Sequence, residues 1–245
     1  MLAGSRGIGR ACAEVLAAEG ATVAVCARDG DAAQAVAAEI AGHGFDCDVS
    51  DARSLERFLA EAVAALGGVD VLVTNCGGPK PGDAAVLDDA DWQTAFDLVF
   101  MSVVRACRHV LPAMRKQRFG RIVNITSPSV REPIPGLALS NALRPAIAGY
   151  SKSLAREVAA DGVHVHCVMP GSILTDRNRE LGAAAAEQRS VPFEQIAEEW
   201  RQNVPLGRLG DALDVGRMVA FLASEACSFT TGAVIPVEGG TLRSL

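Results

Sequence analysis

Short apolar segments alternate with longer helical ones along nearly the whole chain, and this alternation constrains the fold more than any other feature. The predicted strands are residues 22–26, 69–74, 121–126, 163–169 and 233–237. Helical patterns separate them, near residues 8–19, 31–40, 53–66, 91–117, 141–160 and 212–224. Apolar strands that are each followed by a helix form a parallel sheet covered on both faces. We therefore predict an α/β fold with a doubly wound parallel sheet.

The sequence shows no internal division. No linker, repeat or shift in composition interrupts the 245 residues, so we predict a single domain from residue 1 to residue 245. Residues 176–205 break the alternation and carry a helical piece near 193–203. An insertion that follows the carboxyl end of a strand lies where ligands bind to open α/β sheets, and we predict that this one is a substrate lid.

The charge balance excludes two classes of partner. The net charge is −6 and the pI is about 5.3, without a basic stripe, which excludes nucleic acid and an anionic membrane surface. The longest uncharged stretch, Gly162 to Thr175, is shorter than the roughly 20 residues that span a bilayer. Only three residues precede Gly4, which leaves no room for a signal peptide, so we expect a cytoplasmic protein.

The cysteines and histidines do not indicate a metal site. The seven cysteines are scattered and never form a C-x-x-C pair, so we interpret them as small buried side chains in a reducing compartment. His164 and His166 share one face of a predicted strand, but no third ligand lies nearby in the sequence. We therefore predict no bound metal.

A glycine-rich loop at residues 4–9 precedes the first predicted helix. Such a loop lets the backbone approach a pyrophosphate, and the helix N-terminus offers free N–H groups to the anion. The candidate cofactor contacts here are Gly4, Ser5, Arg6, Gly7 and Ile8. Arg28 follows the strand at 22–26, where NAD enzymes often carry an acid, and Arg6 is also in range. We predict NADP rather than NAD, the alternative being that Arg28 is only a solvated loop charge.

Further motifs follow in one unbroken order. They are Cys47-Asp48-Val49, Thr74-Asn75-Cys76-Gly77, Gly120–Ile125, Pro170–Thr175, Pro205–Gly210 and Val237–Gly240. With the glycine loop, this order resembles the short-chain dehydrogenase/reductase family from residue 2 to about residue 240. The resemblance implies a Rossmann-like sheet, a nicotinamide cofactor and the interconversion of a small-molecule carbonyl and alcohol. It also implies a homodimer or homotetramer.

The same motifs imply which residues contact the cofactor beyond the glycine loop. By position, these are Asp48, Val49, Asn75, Gly77, Pro170, Gly171, Ile173 and Thr175. Asp48 and Val49 would border the adenine.

The chain departs from the family at the catalytic positions. The family's catalytic serine falls on Ser127, but its tyrosine falls on Ser140, its lysine on Arg144 and its asparagine on Val99. Tyr150 does not replace the missing tyrosine, because it lies about 15 Å further along the same helix at 1.5 Å per residue. We interpret Tyr150 as a packing residue.

The replacements change the chemistry that is available. A serine hydroxyl is a much weaker acid than a phenol, and an arginine keeps its proton. We predict an atypical enzyme in which Ser127 and Ser140 hold the carbonyl oxygen, while Arg144 reaches the nicotinamide ribose or an acidic substrate group. In the alternative, Ser140 only caps the helix, Arg144 is a surface charge, and the chain is a non-catalytic subunit that binds dinucleotide or a related active subunit.

The resemblance also raises a question about the first strand. Only Met1-Leu2-Ala3 precedes the loop, whereas the family has a central strand there. Without that strand, we expect two buried strand edges to lack partners. We therefore expect the natural chain to be longer, or to borrow a strand from a partner.

Overall fold

The computed structural model describes residues 1–244, which form six strands and nine α-helices. The strands are β1 (Ala24–Ala27), β2 (His43–Asp46), β3 (Val71–Thr74), β4 (Gly120–Ile125), β5 (Val163–Pro170) and β6 (Val234–Val237). The helices are α1 (Gly7–Ala18), α2 (Gly30–Glu39), α3 (Ala52–Leu66), α4 (Asp89–Ala95), α5 (Ser102–Gln117), α6 (Ala138–Val158), α7 (Asp176–Arg189), α8 (Phe193–Gln202) and α9 (Ala212–Ala223). The predicted single-domain α/β fold with a parallel sheet is confirmed.

The strands form two parallel ladders that the first four residues join. β1 pairs with β2, and the order in the larger ladder is β3-β4-β5-β6. Between the ladders, the amide of Leu2 donates to Val73 O at 3.0 Å. On the other side, the amide of Cys26 donates to Met1 O at 3.2 Å, and that of Gly4 to Cys26 O at 2.9 Å. The expectation that the two inner strand edges lack partners is therefore wrong for the backbone groups of Cys26 and Val73, which bond Met1, Leu2 and Gly4.

Helices cover both faces of the sheet. On one face, a core of buried aliphatic and aromatic side chains joins α3, α5 and α6 to the strands, with Phe58, Met114 and Ile147 at its centre. On the other face, α1, α2 and α9 pack through smaller residues such as Cys12, Ala33 and Val219. Two separate cores are what a parallel sheet covered by helices on both faces requires.

β2 is missing from the sequence prediction. Its four residues, His43-Gly44-Phe45-Asp46, are polar or partly exposed and lie at the edge of the sheet. An edge strand with one paired side gives no continuous apolar run. Close packing of α2 holds β2 in place, because a Cβ on Gly44 would lie 2.5 Å from Gln34 Cα.

Two helical regions differ from the prediction. The helix predicted over 91–117 consists of α4 and α5 joined by a π-helical turn at Phe96–Met101. The lid region contains α7 in addition to the predicted helical piece, which is α8. α7 has no apolar stripe, because alanines and charged residues share its faces, and so it gave no periodic signal.

His164 and His166 lie on β5, where a cation would be repelled. Arg121 of β4 is the register partner of His164, and its guanidinium stacks 4.5 Å from the centre of the Phe119 ring. Within residues 1–244 no group of three His, Cys, Asp or Glu side chains is arranged to hold a metal. In the same residues no helix is long and apolar enough to cross a bilayer.

Acid should destabilise the protein through His166. The side chain is 1% exposed, and burial, with His164 and Arg121 nearby, lowers its pKa from 6.5 to about 4. Above pH 6.5 both states hold a neutral ring. As the pH falls toward 4, only the unfolded state gains the proton, and up to about 3 kcal/mol is lost. We expect the unfolding free energy of His166→Gln, measured by urea unfolding between pH 6.5 and 4, to fall less steeply with pH than that of the wild type.

The control for this measurement is His109→Gln, since His109 is exposed on α5. It should keep the wild-type dependence of unfolding free energy on pH. If His166→Gln also keeps that dependence, burial of His166 does not determine the acid sensitivity.

Candidate active site

The glycine loop provides an open helix N-terminus at the carboxyl edge of the sheet. α1 begins at Gly7, which has a positive φ of 54°, and its N-cap residue Arg6 makes no side-chain capping bond. The first turn of α1 carries no acid. A phosphate group fits here because the free N–H groups of the turn have no competing side-chain acceptor.

Tight packing holds this loop in place. Gly9 lies against the loop, so that a Cβ there would stand 2.0 Å from Ala3 O and 3.0 Å from Asn75 Nδ2. The Asn75 amide in turn donates to Ala3 O at 3.4 Å. Asn75 therefore joins the end of β3 to the glycine loop.

Arg28 and Asp48 lie close together at the ends of β1 and β2. Asp48 accepts hydrogen bonds from Ser50 N at 2.9 Å and Ser50 Oγ at 2.6 Å, and these bonds, with help from the Arg28 charge, lower the pKa of the carboxyl. Arg28 is exposed and makes no hydrogen bond or ion pair with the described residues. Its guanidinium is thus available to an anion, and the buried Val49 lines the same end of the sheet.

The segment after β5 lies opposite the glycine loop, across the carboxyl edge of the sheet. Gly171 packs so closely on Glu238 that a Cβ would lie 2.4 Å from Glu238 Cβ. Ile173 is buried, and Thr175 caps α7 by accepting from Asn178 N at 3.4 Å. The Thr175 methyl lies 3.5 Å from the position of a Cβ on Gly7. The predicted cofactor residues at 170–175 and at 4–8 therefore face each other.

The three predicted catalytic residues gather at the end of β4. Arg144 of α6 donates from an Nη atom to Ile125 O, the last residue of β4, at 2.9 Å. Ser127 lies two residues further on and accepts from Ser129 N at 3.2 Å. The Ser129 hydroxyl donates to Ser140 O at 3.4 Å. The alternative in which Arg144 is a surface charge is wrong, because Arg144 is 7% exposed.

Ser140 and Arg144 retain hydrogen-bonding capacity. Ser140 is the third residue of α6, and the N-cap position belongs to Leu137, so Ser140 is not the cap. Its hydroxyl makes no hydrogen bond with the described residues. Arg144 Nε is buried without a partner within residues 1–244, and no carboxylate there forms an ion pair with the guanidinium. A buried donor without an acceptor is costly, and a ligand that accepts from Arg144 Nε would remove this cost.

A buried hydrogen-bond network sets the position of α6. Thr74 Oγ1 donates to Asn124 Oδ1 at 2.7 Å, and Asn124 Nδ2 donates to Ser151 Oγ at 2.8 Å. The Cys167 thiol donates to the same hydroxyl at 3.2 Å. Strands β3, β4 and β5 are thereby tied to the middle of α6. Sequence reasoning missed this network, and four polar residues inside otherwise apolar strands and helices were its only signal.

The other two positions discussed from the sequence are packing positions. Val99, where the family has asparagine, is fully buried in the π-helical turn. Tyr150 packs edge-on against Phe100 with ring centres 6.1 Å apart, and burial raises the pKa of its phenol.

Helix α7 lies next to the predicted cofactor residues, and α8 packs against α7. Arg6 of the glycine loop forms an ion pair with Glu180 of α7 at 3.8 Å. The Arg177 guanidinium lies against Gly78, 2.5 Å from where a Cβ would stand. A two-fold ion pair between Arg189 and Glu199 holds α7 to α8. That this region is a substrate lid stays a prediction.

In this Rossmann-like α/β fold, the predicted cofactor and catalytic residues lie around one site at the carboxyl edge of the sheet, which we call the cleft. A family model described as enoyl-(acyl carrier protein) reductase matches residues 2–241. The chain belongs to the short-chain dehydrogenase/reductase family.

Two similar proteins are described as reductases. The 3-oxoacyl-[acyl-carrier-protein] reductase of Escherichia coli is 39% identical over 238 residues, covering 96% of this chain and 93% of that protein. The Haemophilus influenzae protein of the same name is 37% identical over 242 residues, covering 98% and 96%. The sequence prediction of an NAD(P)-dependent enzyme of this family agrees with these relatives.

Solved structures agree in fold. YwfH, described as an NADPH-dependent reductase involved in bacilysin biosynthesis, has a TM-score of 0.94 at 25% identity, covering 100% of this chain and 97% of its own. Actinorhodin polyketide ketoreductase with NADPH has a TM-score of 0.94 at 30% identity, covering 99% and 96%.

A methyl group at Gly9 should destabilise the fold. In Gly9→Ala the new Cβ meets the Ala3 carbonyl, so the glycine loop must move away from α1 and Asn75. We expect a loss of about 3 kcal/mol in unfolding free energy, the upper end for overpacking, because the clash is with backbone. Gly77→Ala is the matched control, since a Cβ there has no atom within 4 Å. Equal losses in urea unfolding of both variants would contradict the close approach at Gly9.

Proposed function

We propose that this member of the family is an oxidoreductase that reduces a small-molecule carbonyl, or oxidises the corresponding secondary alcohol, with NADP(H). The observation that carries the proposal is the buried Arg144 guanidinium, whose Nε has no partner within residues 1–244 and which lies at the carboxyl edge together with Ser140. The NADPH-dependent reductases among the similar structures support the cofactor.

The residues around the cleft supply a place for each part of NADP. The backbone from Gly4 to Ile8 would hold the pyrophosphate, and Asp48 and Val49 would border the adenine. Arg28 would bind the 2′-phosphate, with Arg6 able to join if its ion pair with Glu180 opens. Asn75, Gly77 and residues 170–175 (Pro170, Gly171, Ile173 and Thr175) would flank the nicotinamide half. When bound, the cofactor supplies or accepts the hydride.

The protein's own residues stabilise the oxygen of the reacting carbonyl. The hydroxyls of Ser127 and Ser140 donate hydrogen bonds to that oxygen, and the Arg144 charge stabilises the negative charge that develops on it. Arg144 is buried, so its charge acts more strongly than it would in solvent. Neither serine nor arginine releases a proton near neutral pH. The proton therefore comes from water, and the site acts by charge stabilisation instead of by a titrating acid.

The proposal also covers the oligomeric state and the cellular compartment of the enzyme. We propose a homodimer or homotetramer that works in the cytoplasm on a small molecule. α7, to which α8 is held, would close over the substrate, since α7 contacts both the glycine loop and the segment after β3. In the competing view, a non-catalytic subunit, the same cleft would bind cofactor without turnover.

Removing Arg28 should abolish the preference for NADPH. A charge-assisted bond to the 2′-phosphate contributes about 1.5–3 kcal/mol, so Arg28→Ala should weaken NADPH about 10- to 100-fold and leave NADH nearly unchanged. Fluorescence titration measures both affinities. Arg108→Ala, an exposed arginine of α5, serves as the control and should keep the wild-type ratio. An unchanged ratio in Arg28→Ala would place the 2′-phosphate elsewhere.

Ser140 and Arg144 should affect different steps. Ser140→Ala removes one hydrogen bond to the developing charge, so turnover should fall on the order of 100-fold while cofactor affinity holds. Arg144→Ala should also weaken binding. Ser153→Ala, on the exposed side of α6, is the control and should leave kcat and KM as they are. The measurement is steady-state kinetics over a carbonyl panel, with cofactor titration.

The double variant Ser140→Tyr with Arg144→Lys decides between the two views of this site. If the wild type turns over and the double variant is slower, Ser140 and Arg144 form a working site of their own. A wild type that binds NADPH but shows no turnover, together with an active double variant, would establish the non-catalytic view.

A further inference from the structure

The loop between Ser127 and α6 begins with a single 3-10 helical turn. Ser127 is the N-cap of this turn, which spans Pro128–Val130. The amides of Arg131 and Glu132 close it by donating to Pro128 O at 2.9 and 3.1 Å. The backbone of Glu132 is thus bonded to the turn that carries a predicted catalytic hydroxyl, whereas its side chain has no role in the reaction proposed above.

The Glu132 carboxylate bonds a segment that lies far along the chain. Its Oε1 atom accepts from the amide of Arg243 at 3.0 Å and from that of Ser244 at 2.8 Å, which are 111 and 112 residues away. The bond from Ser244, with that from Arg243, lowers the pKa of the Glu132 carboxyl below its usual value. The carboxyl is therefore charged at neutral pH, and one of its oxygens binds two backbone amides to the turn.

The same segment is anchored next to the predicted cofactor residues. Glu238, which follows β6, accepts from Leu242 N at 2.8 Å through its carboxylate and from Thr241 Oγ1 at 2.7 Å through its backbone oxygen. Glu238 also packs against Gly171, where an added Cβ would stand 2.4 Å from Glu238 Cβ. Residues 238–244 therefore connect the backbone at Gly171 to the 3-10 turn.

Helix α6 holds the other end of the loop. The Asn141 side chain accepts from Ile134 N at 3.0 Å and donates to Ile134 O at 2.8 Å. Asn141 follows Ser140 in α6, so this pair of bonds fixes the loop relative to the second predicted catalytic hydroxyl. Within the turn, the Ser129 hydroxyl makes one longer bond to Ser140 O, at 3.4 Å. The two bonds to Glu132 are shorter and charge-assisted, and such bonds are the stronger ones.

We propose that Glu132 is a positioning residue for the reaction, because it binds residues 243 and 244 and so fixes the turn that presents the Ser127 hydroxyl. This inference rests on the proposed function, in which Ser127 donates to the carbonyl oxygen. A donor stabilises the developing charge only at hydrogen-bond distance, and a displacement of about 1 Å can cost about 100-fold in rate. Glu132 acts through Ser127 and not by contact with the substrate.

Steady-state kinetics and NADPH titration test this role. Glu132→Ala should lower kcat about 10- to 100-fold and leave the affinity for NADPH nearly unchanged. Glu132→Gln should retain most of the turnover, because both amides bond one oxygen and glutamine keeps a carbonyl oxygen there. Glu61→Ala, which removes an exposed acid of α3, is the control and should behave as the wild type. Wild-type kcat in Glu132→Ala, or equal losses in Glu132→Ala and Glu132→Gln, would overturn the proposal.

A double-mutant cycle shows whether Glu132 acts through Ser127. Once the hydroxyl is removed, its position no longer matters. Ser127→Ala and the double variant Ser127→Ala with Glu132→Ala should therefore have nearly the same kcat. Losses that multiply would contradict the proposal, since Glu132 would then act independently of the hydroxyl.

Hydrogen exchange, followed residue by residue by NMR, tests the attachment without any turnover. In Glu132→Ala, the amides of Arg243 and Ser244 should exchange roughly tenfold faster, because each loses a charge-assisted bond. The amides of Val130 and Arg131 in the turn should also exchange faster. Wild-type exchange of these turn amides in Glu132→Ala would refute the proposal. If the wild type neither binds NADPH nor turns over, the proposed function fails, and the exchange rates still decide whether Glu132 fixes the turn.

Discussion

The site depends first on backbone hydrogen bonds that Met1–Gly4 make to β1 on one side and β3 on the other. Because strand amides and carbonyls inside a sheet cannot reach water, each needs a partner, and these four residues supply partners to both inner edges. The two ladders thereby become one surface with one carboxyl edge. Gly4 leaves this position directly into the glycine loop, so the pairing that closes the sheet also places the N-terminus of α1 at that edge.

The second requirement is that α6 keep a fixed position along its own axis relative to the sheet. The hydrogen bonds from Thr74 through Asn124 to Ser151 do this from the middle of the helix, and the Arg144 bond to Ile125 O does it two turns earlier. Apolar packing alone would tolerate small shifts along the helix axis, whereas directed bonds do not. The serines and the guanidinium therefore meet the ends of β3 and β4, where the cofactor residues already lie.

The sequence was informative wherever burial leaves a periodic pattern. Five strands and most helices could be predicted because each shows an apolar run or stripe, and the glycine loop could be placed because α1 follows it directly. β2 and α7 could not, since His43–Asp46 is a half-paired edge and α7 has no apolar face. The burial of Arg144 could not be predicted from the sequence either. Its spacing of four residues from Ser140 shows that the two share a helix face, but not which residues cover that face. The contact of Arg144 with Cys76 joins positions 68 residues apart, and only the folded chain shows it.

The burial of Arg144 bears on whether this site still binds a ligand or has lost its function. A guanidinium removed from water without a carboxylate costs several kcal/mol, and residues 1–244 offer it only a carbonyl and a sulfur. A neutral side chain of similar size in its place would make the free protein more stable. The cost has a physical rationale if a ligand brings a negative charge or hydroxyl acceptors to the guanidinium, because ligand binding then offsets it. Ser140, one turn earlier, has a hydroxyl that makes no hydrogen bond with the described residues and can also bond a ligand. Both residues therefore fit a site that is completed by what it binds, as the proposed reaction requires.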